Sequence, residues 1–277
     1  AIASARRFGL AVLVGHSGDT ESGAPSPGAE TVRIDWRDDF AAARNALAEI
    51  ARTRRAHNPY LLWLDSDEEI LSWPAHDWSA ENAPWLLLKI QDTAPLTPRP
   101  SARLQRNDGS LRWRYAIHEM LESTASGSTA PPELLAGALL RHHGYDDDEV
   151  IAAKIKRNHT IVRAERSRGR DYLYLWVEEA RYAAAFGGGA AMAWSKVFNH
   201  PDAAPRYPGG IDLRVEAAEE LCEFGNSAPA EELLKNNPHI LSLQLAILRG
   251  QSARGEIIDD ERLGFVAHCT GAGLGDW

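Results

Sequence analysis

The chain has 277 residues, an apolar fraction of 44% and a formal net charge of −9. That is enough for one large or two moderate domains with a packed core, and the acidic balance argues against a nucleic-acid protein that binds through a broadly basic surface. No apolar run approaches the ~20 residues of a membrane span, and two cysteines, Cys222 and Cys269, imply no disulfide framework and a reducing, cytoplasmic setting.

The opening ARRFGLAVLVG only faintly mimics a signal peptide and reads better as a helix end followed by a strand. IASARRFG predicts a helix tail stopping at Gly9, LAVLV a short strand, and SGDTESGAPSPGAE a loop. TVRIDW predicts a second strand. DDFAAARNALAEIARTRRA predicts a helix capped by Asp38 or Asp39, with Phe40, Ala43, Leu47, Ile50 and Ala51 on one apolar face. YLLWLD follows as a buried strand, and the alternation implies a mainly parallel α/β sheet covered by helices. PWLLLKI, ARLQRN and LAGALLRHHGY predict further strands, and LRWRYAIHEML a strand running into a turn or helix. STASGSTAPPE reads as a connection.

From DDDEVIAAKIKRNHTIVRAERSRG onward the pattern is helical, with acids leading and bases trailing in that first helix. RDYLYLWVEEARYAAAFG with GAAMAWSKVFN, then IDLRVEAAEELCEFG with APAEELLKN, predict two helical hairpins like diverged tetratricopeptide repeats. The expected domains are residues 1–149 and 150–277.

The run YLLWLDSDEEI ends an apolar segment in four acids, which is costly unless a cation or water meets them. If the strand continued, Asp65 and Asp67 would project to one side at its carboxyl end, where open α/β sheets bind ligands. Two carboxylates there suit a hard cation such as Mn²⁺ or Mg²⁺, with phosphate oxygens and water completing the shell. An acidic run is also an ordinary solvated or capping feature.

Four blocks, WRDDFAAARNALAEIA, YLLWLDSDEEI, RLQRNDGSLRWRYAIHEML and RHHGYDDDEVIAAKIKRN, occur in an order that resembles family-two, GT-A-type glycosyltransferases. The resemblance is to the bacterial branch with a tetratricopeptide-like helical tail. It implies a Rossmann-like GT-A domain, followed by an α-helical repeat-like domain. It further implies inverting transfer of a sugar from a nucleoside-diphosphate sugar, most simply a UDP-sugar. Asp65 and Asp67 would form the D-x-D pair that holds the metal, and of His142 and His143, which face opposite sides of a strand, His143 beside the glycine turn would complete its shell. Arg44, Asn45 and Asp39 would lie near the nucleotide, although Arg44 and Asn45 suit charge neutralisation or turn capping equally, and Asp39 suits helix capping. Glu119 would be the catalytic base and His118 a substrate contact. Trp36, Trp63, Trp73, Trp85 and Trp113 suit core packing better than stacking on a sugar.

Against the family order, the first nucleotide-binding strands are missing ahead of IASARRFG, and HSGDT is a poor remnant of them. The chain lacks an initiator Met. A longer natural chain, a partner chain or second copy that completes the sheet, or a degenerate transferase would each account for this. The alternatives to a transferase are an inactive domain serving as a helical interaction scaffold, with a peptide or protein partner, and a nucleotidyltransferase.

Overall fold

The computed structural model describes residues 1–16, 28–92, 98–124, 132–144, 148–186, 189–204, 212–256 and 262. Most of the SGDTESGAPSPGAE and STASGSTAPPE segments, Tyr145 and Cys269 lie outside the described residues. Two compact units divide the chain, Ala1–Ile161 and Val162–Trp277.

In the first unit, α1 (Ile2–Arg7) stops at Gly9, whose φ of 71° is left-handed and suits a residue without a side chain. β1 (Leu13–His16) and β2 (Glu30–Arg33) form a separate parallel pair. α2 (Phe40–Arg54) starts where the Asp39 carboxylate accepts the Ala42 N–H at 2.8 Å, and it buries Ala41, Ala48 and Ala51. The second sheet contains β3 (Tyr60–Leu62), β4 (Glu68–Ser72), β5 (Trp85–Asp92), β6 (Arg99–Arg106) and β9 (Glu133–His142), in the order β3-β6-β5-β9-β4. β7 (Leu111–Arg114) and β8 (Met120–Ser123) make a hairpin against α2.

The expected mainly parallel sheet is corrected. β3–β6, β5–β6 and β4–β9 pair antiparallel, leaving β5–β9 and the separate β1–β2 pair as the parallel ones. Parallel neighbours need a long crossover, usually a helix. Between β3 and β9 no helix occurs among the described residues, and the short β5–β6 link returns antiparallel, whereas β3–β6 and β4–β9 pair antiparallel between strands distant in sequence.

β3 and β4 are opposite edges of this sheet yet are joined by the tight turn Asp65–Glu68, closed by the Glu68 N–H to Asp65 carbonyl bond at 3.1 Å. Edges of a flat five-stranded sheet stand ~19 Å apart at ~4.8 Å per step. A turn less than ~7 Å across, extended by three residues, cannot span that distance. The sheet therefore curls and brings both edges to the acidic turn. Ile70, Leu88, Ile90 and Leu140 are fully buried in its core. A cavity of about 830 Å³ is lined by residues of both β1 and β3, and β3 has no second strand partner among the described residues.

The helical series starts with α3 (Asp148–Ser167), within which the division between the units falls. In the second unit α4 (Leu173–Phe186), α5 (Ala190–Phe198), α6 (Leu213–Glu223), α7 (Ala228–Asn236) and α8 (Leu241–Ala253) pack each on the next, and α6 also packs on α8. Trp176, Val177, Ala193, Trp194, Val197 and Leu221 form one core. Ala218, Cys222, Ala230, Leu243 and Ile247 form the next. This is the nearest-neighbour stacking of a helical repeat. No helix among the described residues is long and apolar enough to cross a membrane.

Candidate functional site

Arg44 projects from α2 between two buried indoles, with its guanidinium carbon 5.6 Å from the Trp63 ring centre and 5.1 Å from that of Trp113. Its Nη2 donates to Asp65 Oδ1 at 2.8 Å and its Nε to Glu119 Oε1 at 2.6 Å. Burial works against a charged guanidinium, but Asp65 and Glu119 outweigh it and push Arg44 further above its ordinary range. Asp65 Oδ2 lies 3.3 Å from Arg103 Nη2, and Arg103 also pairs with the buried Glu68. Burial alone would raise Asp65. Arg44 and Arg103 together hold it below the usual carboxylate range.

Asp67 faces a different set. Its Oδ2 accepts from Lys154 Nζ at 2.8 Å and lies 3.4 Å from His142 Nε2, while His142 Nδ1 meets Asp92 Oδ1 at 2.8 Å. The His142 contact chiefly lowers Asp67, with Lys154 adding to it against the effect of burial. Asp67 in turn raises His142, aided by Asp92. These groups crowd one point. A Cβ added at Gly144 would lie within 2.5 Å of Asp67 Oδ2, His142 Nε2 and Lys154 Nζ.

The structure thus brings Asp65, Glu119 and Arg44 together and sets Asp67 in the adjoining turn. It does not place Asp65 and Asp67 on one face of a continued strand, because regular pairing of β3 ends at Leu62 and the acids form the turn. His143 is exposed and faces Glu69 at 3.3 Å, whereas His142 reaches Asp67. The alternation of side chains along β9 permits only one of the two to point there.

Asn45 is likewise removed from the acidic cluster. Its Nδ2 donates to the Trp113 carbonyl at 2.8 Å and its Oδ1 accepts the Trp113 N–H at 2.9 Å. That clamp holds the β7–β8 hairpin on α2, helped by the Phe40 N–H to Ala116 carbonyl bond at 3.0 Å. Between the two strands Tyr115 and His118 are left-handed, at φ 74° and 52°. Such conformations cost of order 1–3 kcal/mol each and persist where the surroundings impose them. His118 is half-buried at this turn. The constraint delivers Glu119 to Arg44. Asp39 serves as the helix cap described above.

Sequence reasoning missed Arg103, Asp92 and Lys154, and preferred His143 to His142. Arg103 and Lys154 lay inside quoted blocks, but only the curl of the sheet reveals which acids they meet.

Among the described residues no group of three or more His, Cys, Asp or Glu side chains could hold a metal ion, and of the expected donors it is Asp67 and His142, not Asp65 and Asp67, that come together. One carboxylate oxygen and one imidazole nitrogen converge beside Gly144, and Asp92 orients the far ring nitrogen as outer-shell carboxylates do. Both Asp65 oxygens face guanidinium groups instead. With two protein donors, water and phosphate would complete the shell, as is usual for Mg²⁺.

No family profile matches the chain. A TPR repeat-containing protein of Synechococcus elongatus is 27% identical over 210 residues, covering 66% of this chain and 48% of the relative. The chain spans about half the length of the curated relative it matches. The likeness and the stacked helices fit a tetratricopeptide-like region. A match over 66% of the chain cannot be confined to residues 162–277, so it reaches into the sheet unit.

Proposed function

We propose that the sheet unit is a cation-dependent glycosyltransferase that takes a sugar from a nucleoside-diphosphate sugar, most simply a UDP-sugar, and transfers it to an acceptor with inversion. The observation that carries this reading is the meeting of Asp67 and His142 beside Gly144, with Asp65 of the same turn bound to the Arg44 that also holds Glu119. Asp67 and His142 would hold Mn²⁺ or Mg²⁺, which when bound supplies positive charge to a leaving diphosphate. Glu119 Oε1 is committed to Arg44 Nε, leaving Oε2 to take the acceptor proton. As the acceptor oxygen bonds to the anomeric carbon, the bond from that carbon to the diphosphate oxygen breaks and its electron pair leaves with the diphosphate. Arg44 fixes Glu119 and Asp65 rather than the nucleotide.

The likeness to a TPR repeat-containing protein favours a second reading, a helical scaffold for a peptide or protein partner whose sheet unit is inactive. Incubation with UDP-glucose or UDP-N-acetylglucosamine, Mn²⁺ and candidate acceptors separates the readings. Release of UDP is expected. Pyrophosphate would mark a nucleotidyltransferase, and retention of both donors intact and unbound would favour the scaffold.

A further inference from the structure

The cavity of about 830 Å³ in the sheet unit runs along consecutive residues of both β1 and β3. Strand phase shows which backbone groups face it. In β3 the Trp63 N–H donates to the Arg103 carbonyl at 2.8 Å and the Pro59 carbonyl accepts the Asn107 N–H at 2.9 Å, so Pro59, Leu61 and Trp63 serve β6. The N–H and C=O groups of Tyr60 and Leu62 therefore point away from β6, toward the cavity they line. In β1 the Val12 and His16 carbonyls accept the Glu30 and Ile34 N–H groups at 3.1 and 2.9 Å, which turns the backbone groups of Leu13 and Gly15 away from β2. Neither edge has a further strand partner among the described residues. The β4 edge is treated differently. There α1 covers Ile70, whose N–H donates to Ser4 Oγ at 3.0 Å and whose carbonyl accepts from Arg7 Nη2 at 2.7 Å.

The layers on either side of this slot are apolar. Leu62 packs in one cluster with Ala5 of α1, Leu10 and Val12, whereas Leu61 packs with Leu47 and Ala48 of α2. Leu47 also reaches β1, where a Cβ on Gly15 would lie 3.0 Å from its Cδ2. Along β3 the charged lining residues stand beyond the strand's ends, Arg55 before it and Asp65, held by Arg44, after it. Two rows of bare backbone donors and acceptors between apolar layers match one chemistry, because an extended polypeptide alone supplies alternating N–H and C=O groups on both sides. A strand buried on both faces is a continuous apolar run. We propose that the slot between β1 and β3 accepts an extended peptide segment, about five residues long and apolar on both faces, as an added strand that joins the two sheets into one. The segment shares no chemistry with a diphosphate sugar, so the proposal stands apart from the transferase reading.

The test titrates the whole chain into a fluorescein-labelled peptide, Lys-Lys-Val-Ile-Val-Ile-Val-Lys-Lys, and reads anisotropy. A comparison peptide carries N-methyl groups on both isoleucines, which keeps the apolar side chains and removes the donors along one edge. The unmodified peptide should bind at least about tenfold more tightly, as strand pairing requires and greasy contact does not. Its binding should slow amide hydrogen exchange at Leu13, Gly15, Tyr60 and Leu62, whose N–H groups face the slot. Leu62→Pro removes one of those donors from the open edge and spares the β6 ladder, so it should weaken the peptide about tenfold. Leu13→Pro takes its place if circular dichroism shows that variant unfolded. No binding, equal binding of the two peptides, or exchange slowed only elsewhere overturns the proposal. So does slow exchange at these amides without peptide, because the chain itself, or a second copy if protection rises with protein concentration, then fills the slot. UDP does not enter the assay, so either outcome leaves the transferase reading to its own test.

Discussion

Glu119→Gln should lower the rate of UDP release in the presence of acceptor by about 10²–10⁴-fold, the usual contribution of a positioned general base. The amide keeps the side chain's shape, and its oxygen can still accept from Arg44 Nε, so the hairpin turn should hold its place. What is lost is the basic Oε2. UDP affinity should change less than twofold, because the base acts on the acceptor side of the reaction and the cation donors remain. Single-turnover kinetics with saturating donor isolate the chemical step. A rate within fivefold of the parent would remove Glu119 from the chemistry and leave Arg44–Glu119 as a structural pair.

Arg44→Met should destabilise the sheet unit by about 3 kcal/mol, the lower part of the range for removing one partner of a buried ion pair. Glu119, with its side chain 14% exposed, would lose its only charged partner among the described residues, and Asp65 would keep only the longer contact to Arg103. Because the Asp65 side chain is 39% exposed, water offsets part of its loss, which sets the estimate at the low end. Methionine fills the slot between Trp63 and Trp113, so the effect reports charge rather than a cavity. Arg44→Lys should recover less than half of the loss, since an ammonium cannot meet both carboxylates in the planar geometry that Nε and Nη2 provide. Urea midpoints for the three proteins decide this, and a change under 0.5 kcal/mol for methionine would contradict the buried-bridge account.

Local structure was the legible part of the sequence. The Asp39 cap, the α2 span and the hairpin helices follow from side-chain chemistry and apolar spacing that act over a few residues. α8 was not separated from the general helical texture, since Gly250 and Ser252 blur its end. Strand direction was not legible. Alternating helix and strand up to YLLWLD suggests parallel pairing, but β5–β6 returns antiparallel through a short link and β3–β6 and β4–β9 pair antiparallel between strands distant in sequence. The acidic turn shows the same limit. The residues DSDE announce a cation, yet whether that cation is a metal, Arg44, Arg103 or Lys154 depends on a curl that brings opposite sheet edges together. The choice between His142 and His143 turned on strand phase, which is set once Glu68 pairs with His142 and Asp92 with His142 across the ladders. A one-residue change of register would have reversed it.

The central claim is that the acidic turn serves a cation that serves a diphosphate. Calorimetric titration of UDP into the protein, with Mn²⁺ and with a chelator, tests it most directly when repeated on Asp67→Ala. Binding that requires Mn²⁺ and vanishes in the variant is the predicted result. No UDP binding, or binding indifferent to both the ion and Asp67, would contradict it.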